Sequence, residues 1–302
     1  MRTLSINRTT DMNNVSQIIP LLVLTGLLGC SPVVDYDLQG HRGARGLLPE
    51  NSVPGFLLAS DLGADTIEMD VVVAADSQIV VSHEPWMSSE ICSHPDGTPV
   101  TEDEAQALNL YTMSYEQIAA FDCGLRGNPR FPDQEARAVK KPLLSEALLA
   151  IENHSEKMLR YNIEIKSKEE GDGIFHPDVD TFARLLHQVI AELGLMNRVT
   201  IQSFDPRALE AFRRIESQVT LAFLVSNELG LEANMDRLSF IPQAYSPNHN
   251  LVDRSLIDSV HGLGMTIVPW TVNDSDRMKE LLYLGVDALI TDYPDRGAAL
   301  KP

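Results

Sequence analysis

The chain has 302 residues, enough for one large α/β domain or two small ones with a true core. An apolar fraction of 44 % against 22 % charged residues is ordinary globular composition and excludes disorder of the whole chain. With 43 acidic residues, 24 Lys and Arg and a formal charge of −19, there is no surface for neutralising nucleic-acid phosphates, and any anionic ligand needs a local cation.

The first thirty residues stand apart. Ile18 to Cys30, IIPLLVLTGLLGC, is an apolar run after a polar, Arg-containing start. It is shorter than the roughly 20 residues that span a bilayer and suits the core of a signal peptide. Leu27-Leu28-Gly29-Cys30 resembles the bacterial lipobox, in which the Cys is diacylated and becomes the mature N-terminus; a plain secretory signal with a chance Cys is the alternative. Two acyl chains hold a protein on a membrane stably. The expectation is residues 1–30 as signal peptide and lipobox, Cys30 as the lipidation site, and an exported, membrane-anchored bacterial lipoprotein facing the periplasm or the cell surface. Cys92 and Cys123 then remain as an even pair in a compartment that permits disulfides. A bridge between them is expected, with two buried thiols as the alternative.

From about Asp37 short β-branched runs alternate with helical periods, the order of a parallel sheet covered by helices. Eight strands are predicted, over Asp37–Gly43, Asp65–Val73, Arg160–Lys166, Val199–Phe204, Val219–Val225, Phe240–Ser246, Thr266–Val272 and Ala288–Asp292. Asn51 is a candidate cap for a helix through Phe56 to Leu58 that stops near Gly63. Pro177-Asp178 opens an amphipathic helix ending at Gly194, Asp205-Pro206 pairs an N-cap with a first-turn proline, and Asn273-Asp274-Ser275 caps the last full helix. Eight such repeats over residues 36–302 imply an α/β fold, the (β/α)8 TIM barrel; an open doubly wound sheet is the alternative, without a GxGxxG after the first strand to support it. From Trp86 to about Lys141, turn clusters such as SHPDGTPV and RGNPRFPDQ replace the repeat. So long an interruption, carrying both cysteines, reads as a cap inserted after the His83 loop, over the barrel mouth.

Barrel chemistry sits where strands end. The first predicted strand ends in His41-Arg42-Gly43, the second carries Glu68 and Asp70, and the third carries Glu164 and Lys166, each pair on one face by the period of two. Carboxylates among Ile, Met and Val need a cation to be buried. Three of them without Cys or His-x-His form a hard oxygen site, for one divalent ion, Ca²⁺ or Mg²⁺ rather than Zn²⁺; a stabilising network with Lys166 or Arg42 is the structural alternative. Three carboxylates and a divalent ion leave one negative charge, a bound phosphodiester adds another, and Arg42 and Lys166 offset both. His41 and His83 are the candidate acid and base. His94, His154, His176, His187, His249 and His261 sit in turn-like or helical polar contexts and read as surface residues, and Arg45 as a solvated loop residue.

These segments resemble the glycerophosphodiester phosphodiesterase family, metal-dependent barrels related to the sphingomyelinase D type phospholipases. The matching residues are His41-Arg42-Gly43, Pro49-Glu50-Asn51-Ser52, Glu68-Met69-Asp70-Val71, Ser82-His83-Glu84, Asn162 to Lys166, Gln202-Ser203-Phe204, Pro269 to Asn273 and Thr291 to Pro294. The resemblance implies His41 and His83 as the acid/base pair, Glu68, Asp70 and Glu164 as metal ligands, and Arg42 and Lys166 as phosphate-binding cations. It further implies Glu50 as a site glutamate beside metal and arginine and Trp270 as an aromatic lining the mouth, a core Trp being the alternative. Ser52 replaces the usual Thr and Glu84 the usual Asp, and neither is expected to touch a catalytic group. The implied reaction is hydrolysis of small glycerophosphodiesters to sn-glycerol 3-phosphate and an alcohol such as choline or ethanolamine, by water or through a cyclic phosphate. A lysophospholipase D or ring-forming lyase is a second reading, disfavoured by the polar SHPDGTPVTEDEAQ; a surface binding module without catalysis is a third, disfavoured because every catalytic position is filled.

Overall fold

The structure is a computed structural model and describes residues 1–5 and 35–302. The signal-peptide and lipobox reading, Cys30 included, lies outside the described residues. Among them no helix is long and apolar enough to cross a membrane.

Nine strands form one sheet: β1 (Asp37–Gly40), β2 (Thr66–Val73), β3 (Ile79–Val81), β4 (Arg160–Ile165), β5 (Val199–Ser203), β6 (Thr220–Val225), β7 (Ala244–Pro247), β8 (Thr266–Ile267) and β9 (Ala288–Thr291). Eight of them run parallel in the order β8-β7-β6-β5-β4-β2-β1-β9. The remaining seam is bridged by Asp287 N–H to Ile267 O (3.2 Å), Ile290 N–H to Pro269 O (3.0 Å) and Val272 N–H to Ile290 O (2.9 Å). The nearly closed barrel is the predicted (β/α)8 architecture.

Strand ends differ from the expectation in two places. The strand in Phe240–Ser246 begins only at Ala244 and runs to Pro247, and that in Thr266–Val272 is regular only through Ile267, with single backbone hydrogen bonds continuing at Val268, Trp270 and Val272. The missed element is β3, which pairs antiparallel with Val71–Val73 while Thr66–Val71 pair with β4. The end of β2 thus leaves the barrel as a hairpin, and Ser82 N–H returns to Asp70 O (3.0 Å). Three residues of Ile-Val-Val give too short a signal to separate a strand from a loop, yet this turn delivers His83.

The helices lie where capping chemistry puts them, with one correction. Val53–Asp61 is capped by Ser52, whose Oγ accepts from Gly55 N–H at 3.2 Å, and not by Asn51. Val179–Glu192 is capped by Asp178, Pro206–Ile215 by Asp205 with proline in its first turn, and Ser275–Leu284 by Asp274.

The barrel interior is divided. Toward β6–β9 it is filled by Ala222, Ala244, Val268, Ala288 and Ile290. Toward β1, β2, β4 and β5 it is polar: Asn162 Nδ2 donates to Gln39 Oε1 (2.8 Å) and Gln202 Oε1 (3.0 Å), and Gln202 Nε2 donates to Glu68 Oε1 (2.9 Å). Although Asn162 Oδ1 is left without a partner, a buried amide layer of this kind is held by the bonds its members make to one another. It forms the floor on which the carboxylates stand.

The interruption after His83 holds short helices at Glu102–Ala105 and Tyr115–Ala119 and no strand. It has a core of its own, including Met87, Ile91, Val100, Leu110, Ile118 and Phe121, packed on Val72, Ala74 and Val80 of the hairpin. Cys92 and Cys123, 31 residues apart, are joined as a disulfide inside it.

Candidate active site

The turn after β1 sets the site. Gly43 has φ of +86°, and a Cβ there would lie 2.6 Å from the backbone of Gly55, so only glycine lets this turn pack on the following helix. Arg42 (φ 50°) and Asn51 (φ 51°) also occupy the left-handed region, which costs a non-glycine residue energy and marks positions held by their surroundings. What holds them is chemistry at the site. Arg42 N–H donates to Glu68 Oε2 at 2.7 Å, and Asn51 Nδ2 donates to Asp70 Oδ2 at 2.8 Å while its Oδ1 accepts from Asp70 N–H at 3.2 Å. Asn51 therefore positions a carboxylate instead of capping a helix.

Glu68, Asp70 and Glu164 lie at most 7 % exposed, each offering a carboxylate oxygen within 4.8 Å of the others. Burial, reinforced by Asp70, pushes the Glu68 carboxyl well above the usual range, and burial likewise raises Glu164 despite Lys166. Asp70 goes the other way: burial is outweighed by Arg42, then Lys166. One member is held charged and two resist charging, so the trio as it stands lacks positive charge. Lys166 Nζ supplies part, at 2.7 Å from Glu164 Oε1 and 3.7 Å from Asp70 Oδ1. Arg42 Nη1 donates to Glu50 Oε1 (2.7 Å), and its Nε lies 3.1 Å from Asp70 Oδ2 without the alignment of a hydrogen bond.

Two imidazoles face this cluster. His41 Nδ1 lies 2.6 Å from Asp292 Oδ1, and His83 Nδ1 lies 2.7 Å from Glu84 Oε1. An ionised carboxylate only accepts, so each Nδ1 carries the proton and each Nε2 is left for the site. Asp292 is fixed in turn by Asn273, whose Nδ2 donates to its other oxygen (2.7 Å) and whose Oδ1 accepts from its backbone (2.9 Å). Burial lowers the pKa of His41 against the pull of Asp292, whose carboxyl is held at about 2 despite its own burial, chiefly by His41. Burial is likewise overcome at Glu84, kept at about 2 by the His83 hydrogen bond.

The structure corrects three readings of single residues. Glu84 does touch a proposed catalytic group, since it holds His83. Arg45 is not solvated: it is 6 % exposed, donates from Nε to Glu50 Oε2 at 2.7 Å, and stacks its guanidinium 4.9 Å from the Phe131 centroid. Glu50 thus bridges two arginines and is not among the clustered ligands. His176 is 3 % exposed, with Nδ1 donating to Pro177 O (2.8 Å) and Nε2 accepting from Lys168 N–H (3.1 Å).

Lys141 was missed by sequence reasoning. Fully packed behind the site, it donates from Nζ to Ser82 Oγ at 2.8 Å, and burial lowers its pKa although Glu84 and Glu50 oppose this. A Lys-Lys-Pro run at the end of a turn-rich segment carries no signal that one ammonium is buried. Trp270 donates from Nε1 to Ser246 O (2.8 Å), meets Phe204 edge to face at 5.3 Å, and lines a cavity of about 200 Å³ with His41, Arg42, Glu68, His83 and Lys166.

Comparison with known proteins agrees with this constellation. Residues 41–296 match the glycerophosphoryl diester phosphodiesterase family. A glycerophosphodiester phosphodiesterase of Bacillus altitudinis is 28 % identical over 86 % of this chain and 96 % of its own. A crystal structure of a Silicibacter pomeroyi protein, provisionally named for the same activity, is 27 % identical, covers 89 % of this chain and 93 % of its own, and superposes with a TM-score of 0.78. An Oleispira antarctica phosphodiesterase solved with its product sn-glycerol-3-phosphate shares the fold at 19 % identity and a TM-score of 0.69, covering 87 % of this chain and 96 % of its own. The match over nearly the whole barrel, on a site of two carboxylate-held histidines and three clustered carboxylates, shows that the chain belongs to the glycerophosphoryl diester phosphodiesterase family.

Proposed function

We propose that this chain hydrolyses glycerophosphodiesters to sn-glycerol 3-phosphate and an alcohol, using one divalent ion. The observation that carries the reading is one cavity lined by two histidines with Nε2 free, by Arg42 and Lys166, and by Glu68 and Glu164, which cluster with Asp70 behind them. The donor set fits a hard cation, Ca²⁺ or Mg²⁺: all oxygen, no thiolate, no clustered imidazole. Glu68, Asp70 and Glu164 would hold it, and when bound it supplies Lewis-acid polarisation of a phosphoryl oxygen.

The chain's own residues do the rest. Arg42, fixed by Glu50 and by its strained turn, offers its fork to the phosphate, and Lys166 adds a point charge. One histidine takes a proton at Nε2 from the nucleophile, either water or a neighbouring glycerol hydroxyl, and the other gives one from Nε2 to the leaving alkoxide. Asp292 and Glu84 keep the tautomers and stabilise each imidazolium as it forms.

Export and anchoring through a diacylated Cys30 complete the proposal. The Cys92–Cys123 bridge supports it, because such bonds persist in oxidising compartments.

The test is turnover of glycerophosphocholine and glycerophosphoethanolamine by the full chain with Ca²⁺, with Mg²⁺ and after chelation. Turnover restored by one of the ions is expected. Full activity after exhaustive chelation refutes the metal site, and retention of most activity by His41→Ala or His83→Ala removes that histidine from proton transfer.

A further inference from the structure

Beside the cavity that holds the carboxylates lies a second and larger one of about 380 Å³, and the two share His83 and Lys166. Its walls include Trp86, from the inserted segment, and Phe175, from the loop after β4. The two rings meet at an interplanar angle of 61° with centroids 5.3 Å apart, a two-walled corner.

This corner is held in place from both sides. Leu110 N–H donates to Pro85 O (2.9 Å) and Met87 N–H to Leu108 O (3.1 Å), fixing the backbone on either side of Trp86. Asn109 Nδ2 donates to Ile174 O (2.7 Å), which ties the inserted segment to the residue before Phe175. Phe175 N–H donates to Gly171 O (2.9 Å), and buried His176 pins the same loop through Lys168 and Pro177. Trp86 packs one side against the apolar core of the inserted segment and remains half-buried, as Phe175 does, so both rings still present surface to the cavity. An aromatic corner built at this cost in ordered loop suits a ligand.

We infer that this second cavity receives the leaving alcohol of the diester and that Trp86 and Phe175 select a quaternary ammonium there. The inference rests on the hydrolase reading. A phosphodiester has two arms, and two cavities meeting at one histidine and one lysine accommodate one each. Glycerol, whose hydroxyls need partners and whose carbons do not, fits the smaller cavity, where His41, Arg42 and Gln202 face Phe204 and Trp270. A trimethylammonium donates no hydrogen bond, so it loses little against apolar walls, and its charge is attracted to aromatic faces.

The surrounding charges permit a cation. Glu84 lines the cavity in ionised form beside His83, and the Lys166 ammonium is turned to Glu164 Oε1 at 2.7 Å, on the side of the other cavity. Glu170 and Lys168, both exposed at the rim, offset each other in water.

Steady-state kinetics of the full chain on glycerophosphocholine and on glycerophosphoglycerol, whose leaving arm is uncharged, test this. The wild type is expected to favour the choline ester. Trp86→Leu and Phe175→Leu should each raise KM for glycerophosphocholine by about 5- to 20-fold and leave glycerophosphoglycerol within about twofold, the scale of a desolvated cation–π contact. Equal losses on both substrates would make the rings merely structural and overturn the inference, as would unchanged kinetics on the choline ester. If the wild type turns over neither diester with any metal, the hydrolase reading itself falls and the inference with it.

Discussion

Replacing Glu50 with Gln isolates the charge that holds both arginines of the site. The carboxylate, 7 % exposed, accepts from Arg42 and Arg45 at 2.7 Å each. At that separation each attraction is roughly 6 kcal/mol gross for an effective dielectric of about 20, and most of it offsets the cost of burying three charges. Gln keeps the volume, so no cavity forms, but Arg45 is left buried without its counter-charge and Arg42 keeps only the carboxylates on its other side, Asp70 foremost. The expected loss is about 3–5 kcal/mol, of the order of a third of a typical folding free energy. For a domain of this size that lowers the midpoint of thermal unfolding by about 6–15 °C at pH 7. The pH dependence checks the cause. Burial raises the Glu50 carboxyl but Arg42 and Arg45 more than reverse it, so its folded pKa lies below the ordinary value. Its stabilisation is then present above an unfolded pKa of about 4.3 and lost as pH falls through the folded one. The gap between wild type and Glu50→Gln should therefore close in acid. Thermal unfolding followed by circular dichroism at pH 7 and in a descending series reads both quantities. A midpoint within 2 °C of wild type at pH 7, or a gap that widens in acid, would refute this account.

Glu84→Gln should lower kcat by roughly 10²-fold or more with little change in unfolding midpoint, because it disturbs the His83 tautomer at a partly exposed position; near-normal kcat in steady-state assays would make Glu84 a bystander. Replacing Cys92 and Cys123 by Ser opens a loop of 31 residues, and chain entropy puts the cost at about 3–4 kcal/mol. Differential scanning calorimetry should show a lower midpoint than wild type, and equal midpoints would mean that the inserted segment is held by its apolar core alone. Asn51→Ala should raise the metal concentration for half-maximal activity several-fold, since Asp70 loses its amide partner; an unchanged metal titration would count against Asp70 as a ligand. For the anchor, Cys30→Ala should move the chain from the membrane pellet to the soluble fraction, and wild type that is already soluble after fractionation removes the lipoprotein reading.

Sequence by itself determined the architecture and the roster of reactive groups. Alternating β-branched runs and capped amphipathic stretches leave few ways to bury their faces, so eight strand and helix units imply the barrel, and the period of two places Glu68 with Asp70 and Glu164 with Lys166. What chain order does not contain is who meets whom. His41 is held by Asp292, 251 positions away, which is itself fixed by an Asn273 that reads as part of a helix cap. Asn51 carries the composition of a cap but, in a left-handed conformation, turns its amide to Asp70 and leaves the capping to Ser52. Arg45 and Lys141 look like loop cations because nothing local shows that Phe131, Glu50 and Ser82 will enclose them. Periodicity reports which face of an element is buried, a property of neighbours three or four residues apart. The pairing of charges inside the barrel is set by the register of strands far apart in the chain, and only the tertiary structure decides it.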